Sequence, residues 1–163
     1  MGDTAVQGLT LTAEPGAQEV VASRLIDAPR ERVFKAHVDA EQIAKWWGPA
    51  RFTTVVDKLD ARPGGEWRFI NREADGTEYA FHGVFHELVE PERITWTFEF
   101  EGVPGHISLE TVTFEDREGG RTLITVHSVY QSPADRDGML DAGMASGLAE
   151  SWDRLESLLS ARV

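Results

Sequence analysis

Between residues 53 and 131 the chain alternates strand-like runs with tight turns, and after that it becomes helical. The runs are "TTVVDKL", "EWRFINR", "EYAFHGVFHEL", "RITWTFEF", "SLETVTFED" and "RTLITVHSVYQ". The turns are "ARPGG", "ADGT", "VEPE", "EGVPGH" and "REGG". Connections this short join antiparallel neighbours, so the segment predicts a meander. From Ser132-Pro133 onward, Met144, Leu148, Trp152 or Ser151, Leu155 and Leu159 recur at helical spacing. That pattern predicts one helix of about 25 residues, about 38 Å long at ~1.5 Å per residue. A curved sheet must cover its apolar face, and only this helix is long enough to do so. The expectation is an α+β helix-grip, a sheet of about seven antiparallel strands wrapped on a long C-terminal helix.

The upstream segment supplies the remaining pieces. "QEVVASRLIDAP" reads as a first strand over residues 19–27. Two short helices follow. "PRERVFKAHV" has Pro29 in its first turn and Asp27 as the expected cap; "DAEQIAKWW" is capped by Asp39 and broken at Gly48-Pro49. Residues 1–17 have no strong period and are expected to be a flexible arm, with residues 18–163 as a single domain.

Composition narrows the function classes. The 163 residues carry a formal charge of -12, which disfavours nucleic acid and anionic lipid as partners. Cysteine is absent, which removes disulfides and thiolate chemistry and suits a reducing compartment; a cytoplasmic protein, monomer or homodimer, is expected. No apolar run is long enough to span a bilayer, and "MGDTAVQGLTLTAEPGAQE" lacks the pattern of a secretory signal.

Strand parity selects the inward face. Ile94, Trp96, Phe98 and Phe100 alternate with polar residues and are expected inside. Hairpin pairing then sets Phe98 opposite roughly Glu110, Trp96 opposite Val112, Val112 opposite Val126, and Glu110 opposite Ser128. The inner face becomes greasy at one end and polar at the other, where Ser108, Glu110, Ser128 and Tyr130 lie. On the two preceding strands the aromatic set Trp67, Phe69, Phe81 and Phe85 is expected inward, with Gly83 making room for the Trp67 indole. A one-residue slip would reverse these assignments.

Glu110 is the most informative carboxylate. Pointing inward, it would have its pKa raised by desolvation, and could anchor a ligand or, with Tyr130, act in acid–base catalysis. Arg24 on the first strand is a candidate ion-pair partner, which would make Glu110 structural. His82 and His86 lie four residues apart on a strand, ~13 Å at ~3.3 Å each, and cannot share one metal ion. Nucleophile-elbow, P-loop and dinucleotide signatures are absent, and neither metal nor cofactor is expected. The candidate ligand-lining residues are Trp47, Trp67, Phe69, Phe81, Phe85, Trp96 and Phe98. Glu110, Val112, Ser128, Tyr130, Met139 and Met144 complete the set. Of the paired indoles, Trp46 is expected at the helix–sheet junction, and Trp47 at the cavity lip or as a second anchor. Gly143 and Gly147 on the final helix would let it approach the sheet or leave volume for a ligand.

Five segments together, "RLIDAPRERVFKAHVDAEQIAKWWGP", "DARPGGEWRF", "FHGVFHELVEPERITWTFEFEGVPGH", "LETVTFED" and "GMASGLAESWDRLESLL", resemble the START-like (SRPBCC) superfamily over about residues 19–161. The branch is the one named after activators of the heat-shock chaperone ATPase. The resemblance implies a START/Bet v 1-like helix-grip fold and a small hydrophobic molecule held between sheet and helix. Superfamily members include polyketide cyclases, lipid carriers and plant-hormone receptors; no family catalytic residue carries over. Three functions follow as expectations: binding a small apolar or aromatic ligand, a cyclase, dehydratase or hydrolase activity using Glu110 and Tyr130, or a protein-interaction module. The additional domain of the chaperone-activating members has no room in 163 residues, which weakens a co-chaperone role.

Overall fold

The computed structural model describes residues 3–6, as backbone only, and residues 8–160. The strands are β1 (Asp3–Val6), β2 (Leu9–Thr12), β3 (Glu19–Ile26), β4 (Thr53–Leu59), β5 (Glu66–Arg72), β6 (Glu78–Val89), β7 (Arg93–Phe100), β8 (Ile107–Arg117) and β9 (Arg121–Val129). The helices are α1 (Arg30–Ala36), α2 (Ala40–Trp46), α3 (Pro133–Asp141) and α4 (Met144–Ser160). Among the described residues, the strands form one antiparallel sheet in the order β1-β2-β3-β9-β8-β7-β6-β5-β4. The helices cover one face of it, as a helix-grip requires. None is long and apolar enough to cross a membrane, among the described residues.

Four expectations change. The sheet has nine strands rather than about seven, because the stretch expected to be a flexible arm contributes the β1–β2 hairpin at the sheet edge. Its signal is the alternation in "LTLT": Leu9 and Leu11 are buried, and Thr10 is exposed. The single C-terminal helix is two. Gly143 adopts φ +94°, a left-handed conformation that ends α3 and lets α4 start in a new direction. Asp27 does not cap α1; the N-cap is Pro29 without a side-chain bond, and the Asp27 backbone N–H donates to Glu156 of α4 at 2.7 Å. Asp39 does cap α2, accepting from the Glu41 and Gln42 N–H groups. Finally, Arg24 shares the inward parity of Val20, Ala22 and Ile26, but its guanidinium binds Asp153 and Glu156 of α4. It is therefore engaged away from Glu110.

The expected parity of β5 to β9 holds. Trp67, Phe69, Phe85, Ile94, Val112, Phe114 and Ile124 all join one buried core with Trp152, Leu155 and Leu159 of α4. One register detail shifts by two residues: Trp96, not Phe98, pairs with Glu110, and Phe98 pairs with Ser108. A shift of two leaves every side chain on its face. Gly83 lies opposite Trp67, and a Cβ there would collide with the Thr97 carbonyl and the Trp67 indole nitrogen. The missing side chain lets the indole cross β6 and donate to the Thr97 carbonyl on β7 at 3.1 Å.

Two buried polar side chains hold the helices in place. Arg136 of α3, 2% exposed, donates to the Glu14 and Glu19 carbonyls at 2.8 Å each, fastening α3 to the β2–β3 connection. His37, the C-cap of α1, sits between the rings of Trp46 (4.7 Å) and Phe114 (5.0 Å). Its Nδ1 lies 2.8 Å from the Val33 carbonyl, which can only accept, so Nδ1 carries the proton of a neutral ring. Burial lowers its pKa to about 4.

Two outcomes are expected. Gly83→Ala should lose about 2–3 kcal/mol in urea unfolding, from overpacking together with the lost Trp67–Thr97 bond; wild-type stability would contradict the packing argument. His37 is held neutral when folded and takes up a proton more readily when unfolded. Its contribution is therefore intact above about pH 6.5 and lost as pH falls toward 4, on the order of 3 kcal/mol in all. His37→Phe keeps the ring contacts and should flatten stability between pH 6.5 and 4; an unchanged slope would place the acid sensitivity elsewhere.

Candidate functional site

The turn that follows α2 fixes the geometry. Trp47 ends the helix, and Gly48-Pro49 redirects the chain into β4. Three side chains of α4 hold this turn: Gly48 N–H donates to Ser151 Oγ at 2.9 Å, Arg154 donates to the Gly48 and Pro49 carbonyls at 2.9 and 3.2 Å, and Ala50 N–H donates to Glu150 at 3.2 Å. On the sheet side, the Thr54 hydroxyl donates to the Trp47 carbonyl and lies 3.0 Å from Asn71 Oδ1. Trp46 is buried and also lines the cavity, its indole N–H donating to the Ala36 carbonyl at 2.9 Å.

Between this turn, α3, α4 and the inner face of β5–β9 lies a cavity of about 490 Å³. Aromatic rings form much of its wall. Trp47 presents edges to Phe69 (5.1 Å) and Phe81 (5.3 Å), Phe81 meets Phe98 (5.5 Å) and Phe100 (5.1 Å), and Phe100 meets Tyr79 (6.3 Å). Met139 and Met144, from either side of the α3–α4 break, line the helical side. Arg51, Ala142 and Gly143 line it too and are exposed, which marks the mouth.

Among the described residues, Glu110 is the only carboxylate in that lining. The Trp96 indole N–H donates to Oε1 at 2.9 Å and the Ser128 hydroxyl to Oε2 at 3.1 Å. Burial raises its pKa, and the two hydrogen bonds oppose the rise without cancelling it. Tyr130 stands nearby; its hydroxyl donates to the Met144 thioether at 3.4 Å, and burial and the Glu110 charge push its pKa well above the usual phenol range. One carboxyl and one phenol in an aromatic-walled cavity can orient a polar ligand group or move a proton. No group of three or more His, Asp or Glu side chains suited to a metal comes together among the described residues. His82 faces outward between Glu99 and Glu101, and His86 is exposed.

Ten of the sequence-derived candidates line the cavity: Trp47, Phe69, Phe81, Trp96, Phe98, Glu110, Val112, Tyr130, Met139 and Met144. Trp67, Phe85 and Ser128 do not; they lie behind the wall, each at most 1% exposed. Trp67 stacks on Trp96 at 4.2 Å and 20°, Phe85 packs against Trp96, and Ser128 holds Glu110. Sharing the inward parity put them on the right face, but neighbouring rings cover them. His37, Asn71, Tyr79, Ser151 and Arg51 also line the cavity and were not among the candidates. Extending the parity of β5 and β6 by one step each reaches Asn71 and Tyr79, whereas nothing in the local sequence marks Arg51.

Comparison with known proteins agrees with this fold. The profile of the family described as Activator of Hsp90 ATPase homolog 1-like protein matches residues 27–160. Among solved structures, protein Ms6760 from Mycobacterium smegmatis is similar in fold at a TM-score of 0.84 and 23% identity, over 99% of each chain. A Rhodobacter sphaeroides protein gives 0.86 at 19% identity, over 94% of this chain and 99% of the other. Protein CV1439 from Chromobacterium violaceum gives 0.78 at 28% identity, over 89% and 99%. No curated protein matches the sequence significantly. With the family profile spanning most of its length and the fold shared end to end, the chain belongs to the Activator of Hsp90 ATPase homolog 1-like family of the START-like superfamily.

Proposed function

We propose that the protein binds a small hydrophobic or aromatic molecule in the cavity between the sheet and α4. The observation that carries this reading is the cavity itself, about 490 Å³ of space walled by aromatic rings and holding one buried carboxyl. Small-molecule sites are typically concave, mostly apolar and furnished with a few convergent polar groups. A filled core would have favoured the interaction-module reading; open volume of this size supports a ligand instead. The ligand displaces disordered water from apolar walls, stacks against Trp47 and Phe98, and meets Glu110 and Tyr130 with its polar end.

Gly147 offers a test that leaves the chemistry untouched. It lines the cavity, and a Cβ added there meets only the Pro49 ring, at an ordinary 3.8 Å. Gly147→Leu should fill the space with its side chain while replacing a weak helix former, a change worth about 1 kcal/mol in favour of the helix. The neutral dye N-phenyl-1-naphthylamine should bind the wild type, and Gly147→Leu should weaken binding at least tenfold with the thermal midpoint unchanged or raised. Equal dye affinity in the two proteins would place the dye outside the cavity and sink the reading.

A second reading, acid–base catalysis on the bound molecule, is favoured by the raised pKa of Glu110 beside Tyr130. Against polyketide-like substrates, Glu110→Gln should abolish turnover and spare dye binding. Turnover that survives this substitution would remove Glu110 from any catalytic role.

A further inference from the structure

We propose that the cavity selects an elongated aromatic hydroxy acid, its hydroxyl held between Glu110 and Tyr130 at the inner end and its carboxylate paired with Arg51 at the mouth. This inference rests on the ligand-binding reading above and gives that ligand a chemical class and a direction.

The inner end calls for a group that both donates and accepts. Glu110 receives one hydrogen bond on each oxygen, from Trp96 and from Ser128, which leaves acceptor capacity on both. Tyr130 spends its hydroxyl proton on a thioether sulfur, a weak acceptor that a ligand oxygen readily replaces. A hydroxyl satisfies both, donating to the carboxyl and accepting from the phenol. An ionised Glu110 would face a second acceptor in a ketone, and an ammonium would have no lone pair for Tyr130.

The mouth calls for an anion. In a chain with 28 acidic and 16 basic residues, most arginines are tied to carboxylates or carbonyls. Arg51 is exposed, lines the cavity, and makes no ion pair among the described residues. Its guanidinium lies over the Phe52 ring at 4.3 Å and acts electrostatically on the Tyr79 phenol. Glu73, the carboxylate beside that ring, is engaged by the Tyr79 hydroxyl at 3.1 Å rather than by Arg51. The net charge of -12 repels anions at long range, so an unpaired cation at the entrance is what an acidic ligand needs.

The two ends are joined by a run of rings. Trp96, which holds Glu110, leads through Phe98 to Phe100 along β7, and Phe100 meets Tyr79 near the mouth. Four residues of strand span about 13 Å at ~3.3 Å each, the reach of a linear biaryl rather than of one ring.

The test uses the full chain and four related probes: 4′-hydroxybiphenyl-4-carboxylate, 4-hydroxybiphenyl, biphenyl-4-carboxylate and biphenyl, titrated by Trp fluorescence and calorimetry. The hydroxy acid should bind at least tenfold tighter than biphenyl-4-carboxylate and about fivefold tighter than 4-hydroxybiphenyl at low salt. Arg51→Gln should erase the carboxylate's advantage and keep the hydroxyl's. Tyr130→Phe and Glu110→Gln should do the reverse. If all four probes bind equally, the ligand-binding reading survives and this inference is overturned. If none binds, including biphenyl, both fall. Advantages that persist unchanged in all three variants would also overturn it, because the selecting groups would then lie elsewhere.

Discussion

The attachment of the Gly48-Pro49 turn to α4 is the constraint on which the rest of the site depends. A helix laid over an aromatic sheet face gains by sinking until it touches the rings, because burial of apolar area is favourable. Here α4 is stopped short on one side. Ser151, Arg154 and Glu150 satisfy the backbone groups of residues 48–50, and the same turn is tied to the sheet through Thr54 and Asn71. The turn therefore acts as a spacer of fixed height between helix and sheet. Arg24 of β3 grips Asp153 and Glu156 of the same helix, so the middle of α4 is held by both the turn and the sheet.

The break before α4 complements the spacer. In a single straight helix from residue 133, Met139 and Met144 would point about 140° apart, at ~100° per residue. Gly143 interrupts it, and buried Arg136 fastens the preceding helix to the β2–β3 connection. The mouth of the cavity sits at this junction, where Ala142 and Gly143 are exposed. Trp47 links packing to the site. Its indole is an edge contact for Phe69 and Phe81 and at the same time part of the cavity wall, so the anchor and the lip are one side chain.

Much of this was legible in the sequence, because a half-buried antiparallel strand states its inward face by alternation. Trp96, Glu110, Val112 and Tyr130 were placed on the cavity face from parity alone, and an error of two residues in pairing Phe98 with Glu110 cost nothing. Parity does not say which inward residues are covered by their neighbours; hence Trp67, Phe85 and Ser128 were expected in the wall and lie behind it. The N-terminal hairpin was missed because "LTLT" is a short run whose hydrophobic face acquires meaning only beside the rest of the sheet. The helix break was missed because the residues before and after Gly143 are both helical in pattern. Arg51 has no local signature at all, since its position at the mouth follows from the tertiary path of the turn.

The central claim is that the space between sheet and α4 is a preformed binding cavity with a polar inner end. A crystal structure of the protein grown with 4′-hydroxybiphenyl-4-carboxylate tests it most directly. The expected result is density for the biaryl between Trp47 and Trp96, the hydroxyl within hydrogen-bond distance of Glu110, the carboxylate beside Arg51, and α4 in place. A biaryl on the outer face of the sheet, or an α4 collapsed onto Trp96 and Phe98 with no space between, would contradict it.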